Sequence, residues 1–199
     1  MASHLILLWL AAFPLMGSPG PATMSLAAMG AAFGGRRSLY YLAGIITGTF
    51  GVLVMIATGV TGVILAQPAL VTAITIVAGA YILYLAFRIA TAPVVSKRLT
   101  AAKAPSFYSG FILAIANPKA FAAIGAVYAG STIVQNDLAL DAVVKIAALT
   151  IVIITVNSAW LFFGSVFSSL LTNPGTARIA NVTFAVMLVG SVILALLSG

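Results

Sequence analysis

The sequence predicts an all-α integral membrane protein with six transmembrane helices, arranged as two inverted three-helix repeats whose first helices are broken. Three observations predict it. Hydrophobic residues fill 63% of the 199 positions and charged residues only 6%, whereas an ordinary soluble domain carries about 25% charged residues. Six apolar windows follow one another with short breaks between them, each able to supply the roughly 20 residues that cross a bilayer. The first and fourth windows each contain a proline-centred interruption, Ser18-Pro19-Gly20-Pro21 and Ala116-Asn117-Pro118-Lys119, about half a chain length apart.

The windows run over about 4–32, 38–66, 69–90, 106–130, 142–169 and 177–198, within a single membrane domain (1–199) whose halves are 1–95 and 96–199. The opening, MASHLILLWLAAFPLMGS, lacks the basic n-region of a secretory signal, and its apolar pattern continues past the prolines, so it reads as a retained first helix. His4, at the edge of that helix with no acidic or metal-ligand neighbour, reads as an interfacial side chain rather than a proton relay. Pro14, Pro19 and Pro21 remove backbone donors and crowd the preceding turn, which is expected to leave carbonyls over about 10–17 without helical partners. In hydrocarbon each such group costs several kcal/mol, so irregular backbone at this depth is tolerated only inside a bundle or along a cavity.

In the second window Gly44, Gly48, Gly51, Gly59 and Gly62, and in the third Gly79 between Ala78 and Ala80, fit close helix packing. Arg88 ends the third window, where it can snorkel to the interface. Asp137 and Asp141, the only acids in the chain, fall between the fourth and fifth windows and read as solvated loop residues. Asn157 lies in the middle of the fifth window, where it either bridges helices or faces a site. Tyr81, Tyr84, Tyr128 and Trp160 read as interface anchors.

The net charge of +7 comes from residues scattered over short loops, which excludes the basic, aromatic-interleaved patch of a nucleic-acid binder. Arg36, Arg37, Arg88, Lys97, Arg98, Lys103 and Arg178 belong to the first, third and fifth connections, and only Lys145 to the second and fourth. The positive-inside rule therefore places the odd connections in the cytoplasm and both termini outside. The absence of cysteine excludes disulfides and thiolate metal sites.

Paired interruptions in corresponding positions of two inverted halves point to a binding site at the bilayer midplane. Each break lies about 20 Å into its helix at 1.5 Å per residue, near the middle of a core about 30 Å thick. Half-helices are expected to begin at about Pro21 and Pro118, since proline suits a first helical position. Their free N–H groups and positive dipole ends would attract a carboxylate. Lys119 adds a full charge near the midplane, where an ionisable group costs at least about 2.5 kcal/mol and reads as functional by default. No acid lies within a span, so the cationic end of a ligand would meet carbonyls of the first half-helices, aided by Ser18, Asn117 or Asn157. The candidate substrate-binding set is therefore Ser18, Pro19, Gly20, Pro21, Asn117, Pro118, Lys119 and Asn157. No cofactor motif, paired carboxylates or nucleophile with a base is present, and the spans offer no donor set for a metal.

Several stretches together resemble the lysine-exporter superfamily, of the LysE and homoserine/threonine-exporter (RhtB) type. They are the PGP of residues 19–21, the GGRRS turn followed by Gly44 and Gly48, AGAYILYLAFR (78–88), FYSGFILAIANPKA (107–120), Trp160, and Arg178-Ile179-Ala180-Asn181. The resemblance covers nearly the whole chain. It implies a six-helix exporter of amino acids or their relatives in the bacterial inner membrane, driven by the proton motive force, with a homodimer compatible. Members often carry an acidic or histidine residue after the glycines of the second helix, where this chain has Gly48-Thr49-Phe50-Gly51. That departure favours a neutral amino acid over a cationic one. The alternatives are an ion or metal efflux protein of the same superfamily and a non-transporting membrane subunit whose kinks serve packing alone.

Overall fold

The computed structural model describes residues 1–59 and 106–170, with single positions at 66–91 and 175–193. Most of the third and sixth windows, with Gly62, Gly79, Tyr81, Arg88, Lys97, Arg98 and Lys103, lies outside the described residues. Among the described residues there are six α-helices and no strand: α1 (Ala2–Gly17), α2 (Pro21–Phe33), α3 (Leu39–Ala57), α4 (Phe107–Ile115), α5 (Pro118–Ala129) and α6 (Leu138–Leu170), with a 3-10 turn, Arg36–Ser38, before α3.

Length and apolarity make Arg36–Ala57 and Leu138–Val166 candidate membrane spans. The two broken helices qualify as pairs, α1 with α2 at a bend of 63° and α4 with α5 at a bend of 59°. Both second halves start on a proline, Pro21 and Pro118, because a first helical residue needs no amide donor and proline's φ is already helical. Pro14 acts differently from the sequence expectation. The helix runs through it to Gly17, and Ser18 N still donates to the Pro14 carbonyl at 3.0 Å. An interior proline forfeits one hydrogen bond and need not end the helix. The irregular backbone is thus confined to residues 18–20. At the other end of α2 the chain turns on Gly34 (φ +79°), a conformation that glycine adopts without the Cβ penalty.

Glycine packing sets the frame. A Cβ on Gly44 would collide with the Phe107 carbonyl, one on Gly48 with Phe111 and Ala114, and one on Gly110 with the Tyr41 carbonyl, so α3 and α4 touch backbone to backbone. Gly30 meets the Leu161 carbonyl and Gly164 the Ala27 carbonyl, which locks α2 to α6 in the same way. Without a hydrophobic driving force between helices in lipid, such close approach is a main source of association. Every residue of α2 from Pro21 to Ala31 is buried, as expected of a helix apolar on all sides.

The apolar core divides into two clusters. One gathers Met24, Leu26 and Met29 of α2, Tyr41 and Ile45 of α3, Leu113 of α4 and Leu161 of α6, with Ala86 and Ala185. The other gathers Leu8 and Ala12 of α1, Val52 and Leu53 of α3, Ile124 and Val127 of α5, and Leu149, Val152 and Ile153 of α6. Trp160 and Ile46 pack against both. The breaks divide the clusters by element, with α2 and α4 packing into the first and α1 and α5 into the second.

The connection between α5 and α6 corrects one expectation. Asp141 is only 5% exposed rather than solvated. Its carboxylate pairs with Lys145 at 2.8 Å and accepts from Ile133 N at 2.6 Å and Val134 N at 2.9 Å. Lys145 Nζ in turn donates to the Tyr128 and Ser131 carbonyls and sits 4.1 Å from the centre of the Tyr128 ring. Each charge is thereby paired and hydrogen-bonded, the condition under which burial is tolerated. Asp137 caps α6, accepting from Leu140 N at 2.9 Å. His4 Nδ1 is 2.7 Å from the Thr132 carbonyl and joins the start of α1 to the same loop.

Candidate functional site

Between the two breaks lies a cavity of about 40 Å³, room for a few water molecules. It is lined by Met16 of α1, Gly20 of the first break, Thr23 of α2, Thr49 of α3, Asn117 of the second break, Lys119 of α5 and Asn157 of α6. Ala120, Ala123, Ile124, Ile153 and Val156 complete an apolar wall.

Lys119 crosses from one break to the other, and its Nζ donates to the Ser18 carbonyl. Its stem passes over Gly20, where any Cβ would meet Lys119 Cδ. A side chain at position 20 would therefore displace that lysine stem. Trp160 Nε1 donates to the Gly17 carbonyl at 3.0 Å, and Ser18 Oγ to the Leu15 carbonyl at 2.9 Å. Of the carbonyls released by the first break, those of residues 15, 17 and 18 are each taken by a side chain. Trp160 is a break-capping residue here, where its sequence context suggested an interface anchor.

Thr23 closes the start of α2, accepting from Gly20 N at 2.9 Å while its hydroxyl donates to the Gly20 carbonyl at 3.1 Å. The start of α5 has no such closure. Asn117 occupies the N-cap position, yet its amide makes no capping bond. Its Oδ1 is buried without a hydrogen-bond partner in a residue only 5% exposed. An unpaired buried acceptor costs about 1–3 kcal/mol. Asn157 Nδ2 donates to the Ile153 carbonyl at 2.7 Å, within its own helix, while the residue lines the cavity.

Of the residues expected to form the site, Gly20, Asn117, Lys119 and Asn157 line the cavity and Ser18 reaches it through its carbonyl. Pro21 is buried at the start of α2, whereas Pro19 and Pro118 are exposed and turn the chain without lining the cavity. Thr23 and Thr49 are lining residues that sequence reasoning missed. For Thr23 a signal existed, a hydroxyl three positions after the glycine of the break. Thr49 carries none, because a helical threonine usually bonds its own backbone, as Thr49 Oγ1 does with the Ile45 carbonyl at 2.8 Å.

Among the described residues that line it, the cavity carries one formal charge, that of Lys119. Among the described residues no group of three His, Cys, Asp or Glu side chains is placed to hold a metal ion. The arrangement offers an ammonium, backbone carbonyls, hydroxyls and amides, a set suited to a small polar molecule with an anionic end.

A family model described as LysE type translocator matches residues 13–199. The chain is similar to the cysteine/O-acetylserine efflux protein of Escherichia coli (strain K12), 30% identical over 174 residues that cover 86% of this chain and 87% of the relative. It is also similar to the proteins of the same name from Shigella flexneri serotype 5b (strain 8401), again 30% identical with 86% and 87% covered, and from Salmonella paratyphi A (strain ATCC 9150 / SARB42), 28% identical over 173 residues with the same coverage. No solved structure matches. With a family model spanning almost the whole sequence and a multi-pass set of apolar helices behind it, the chain belongs to the LysE type translocator family.

Proposed function

We propose that this protein exports small neutral amino acids or their derivatives across the bacterial inner membrane, binding them between the two helix breaks. The observation that carries the proposal is the reach of Lys119 from the second break to the Ser18 carbonyl of the first, across a cavity lined from both. A lone ammonium at that depth is costly and is best accounted for by an anionic ligand. The substrate carboxylate is received by Lys119 and the uncapped start of α5, where helix dipole and side-chain charge act together.

In this reading the chain has six spans in two inverted halves, 1–95 and 96–199, with both termini outside. Alternating access then consists of rocking one half against the other about the breaks. Export is driven by the proton motive force, with Lys119 as the group that takes up and releases the proton during the cycle. The chemistry of the relatives supports the substrate class, since cysteine and O-acetylserine are small α-amino acids without a charged side chain. A small cavity lined from both breaks suits a carrier whose halves move.

The proposal is tested by efflux of labelled cysteine, serine, threonine and lysine from loaded cells that overproduce the protein. Faster efflux of one or more neutral amino acids, abolished when the proton gradient is collapsed, is the expected result. Unchanged efflux of every amino acid at verified membrane abundance would favour a non-transporting subunit.

A further inference from the structure

The cavity shows where an ammonium group fits, because it already holds one. Lys119 Nζ donates to the Ser18 carbonyl at the C-terminal end of the first half-helix, where the dipole is negative and a cation is favoured. A second acceptor, Asn117 Oδ1, is buried on the opposite break without a partner. Its amide takes no part in capping α5, so helix formation does not explain an asparagine at this position. A substrate ammonium has three donors and no acceptor, which matches two neutral oxygens on facing breaks.

These observations impose an exchange. A carboxylate that draws Lys119 away would leave the Ser18 carbonyl with only the long contact to Thr23 Oγ1, at 3.4 Å. A group with both charges avoids that loss, since its own ammonium replaces that of Lys119. Resting on the amino acid reading above, we propose that the substrate's α-ammonium takes over the Ser18 carbonyl from Lys119, with Asn117 Oδ1 as its second acceptor, while Lys119 turns to the α-carboxylate. The carrier accordingly takes molecules with a free ammonium and a free carboxylate. It rejects N-acylated amino acids and 2-hydroxy acids, and tolerates acylation of the side chain.

The test is counterflow in proteoliposomes containing the full chain, with labelled L-cysteine or L-serine outside and one unlabelled compound inside. L-Cysteine, L-serine or O-acetyl-L-serine inside should drive tracer uptake, whereas N-acetyl-L-serine, N-acetyl-L-cysteine and L-lactate should drive it at least about 100-fold less. A site built to hydrogen-bond a substrate N–H discriminates strongly against analogues that lack it. Asn117→Leu should raise the KM for the free amino acid about tenfold and narrow its margin over the N-acetyl form. N-acetyl-L-serine that drives uptake within threefold of L-serine would overturn the ammonium site and leave the exporter reading standing. Failure of every free amino acid to drive uptake would overturn both.

Discussion

Lys119 joins the two breaks by a single hydrogen bond, and its substitutions separate charge from proton exchange. Lys119→Met removes the proposed partner of the substrate carboxylate and is expected to abolish efflux at unchanged membrane abundance, since no other described lining residue carries a charge. Lys119→Arg keeps a permanent cation, so binding should persist while the pH dependence of efflux disappears. Normal export by the Met variant would remove Lys119 from the mechanism. Away from the cavity, Asp141 offers a stability test of a different kind. Asp141→Asn leaves Lys145 buried without its counter-ion and strips two amides of a charged acceptor, a loss of about 3–5 kcal/mol for a broken buried pair. The thermal midpoint in detergent should fall clearly, and the double variant Asp141→Leu with Lys145→Met should recover much of the loss. Equal stability of Asp141→Asn and the parent would mean the cluster is solvated after all.

Helix by helix, the frame is held by glycines that meet backbone and not side chains. Gly164→Val places carbon against the Ala27 carbonyl and Gly44→Val against that of Phe107, so either change must push two helices apart. Overpacking of this kind costs about 1–3 kcal/mol, or more where backbone cannot yield. Gly125→Ala meets nothing within 4 Å and serves as the matched control. Membrane abundance and thermal midpoint should drop for the first two and hold for the third; a stable Gly164→Val protein would show that α2 and α6 are not in backbone contact. Much of this was legible in the sequence. The start points of both half-helices followed from Pro21 and Pro118, and a close-packing face on α3 from the spacing of Gly44 and Gly48, although that spacing does not say that α4 is the partner. Pro14 misled because proline in a helix can either end it or merely bend it, and sequence alone does not decide which. Trp160 and Asp141 misled because a lone tryptophan or aspartate in an apolar chain is usually interfacial or solvated. The Gly17 carbonyl and the amides of residues 133 and 134 are backbone groups with no signature of their own, and only Lys145, four positions after Asp141, offered a readable partner.

For the whole molecule the account requires two halves that enter the bilayer from opposite faces and meet at one site. If the odd connections are cytoplasmic, as the basic residues of the sequence lead us to propose, the loop 91–105 lies inside, and a reporter fused at Lys103 should report the inside and one at Gly199 the outside. A periplasmic signal at Lys103 would reverse the orientation and with it the assignment of inner and outer gates. The site itself can be addressed directly because the chain has no cysteine of its own. The most direct measurement is crosslinking of cysteines introduced at Ser18 and Asn117, one on each break, with and without amino acids. A short bifunctional reagent should join them, the joined protein should cease to export, and a transported amino acid should slow the reaction by occupying the space between. Crosslinking that proceeds at the same rate with every amino acid, or a crosslinked protein that still exports at the normal rate, would contradict a substrate site between the breaks.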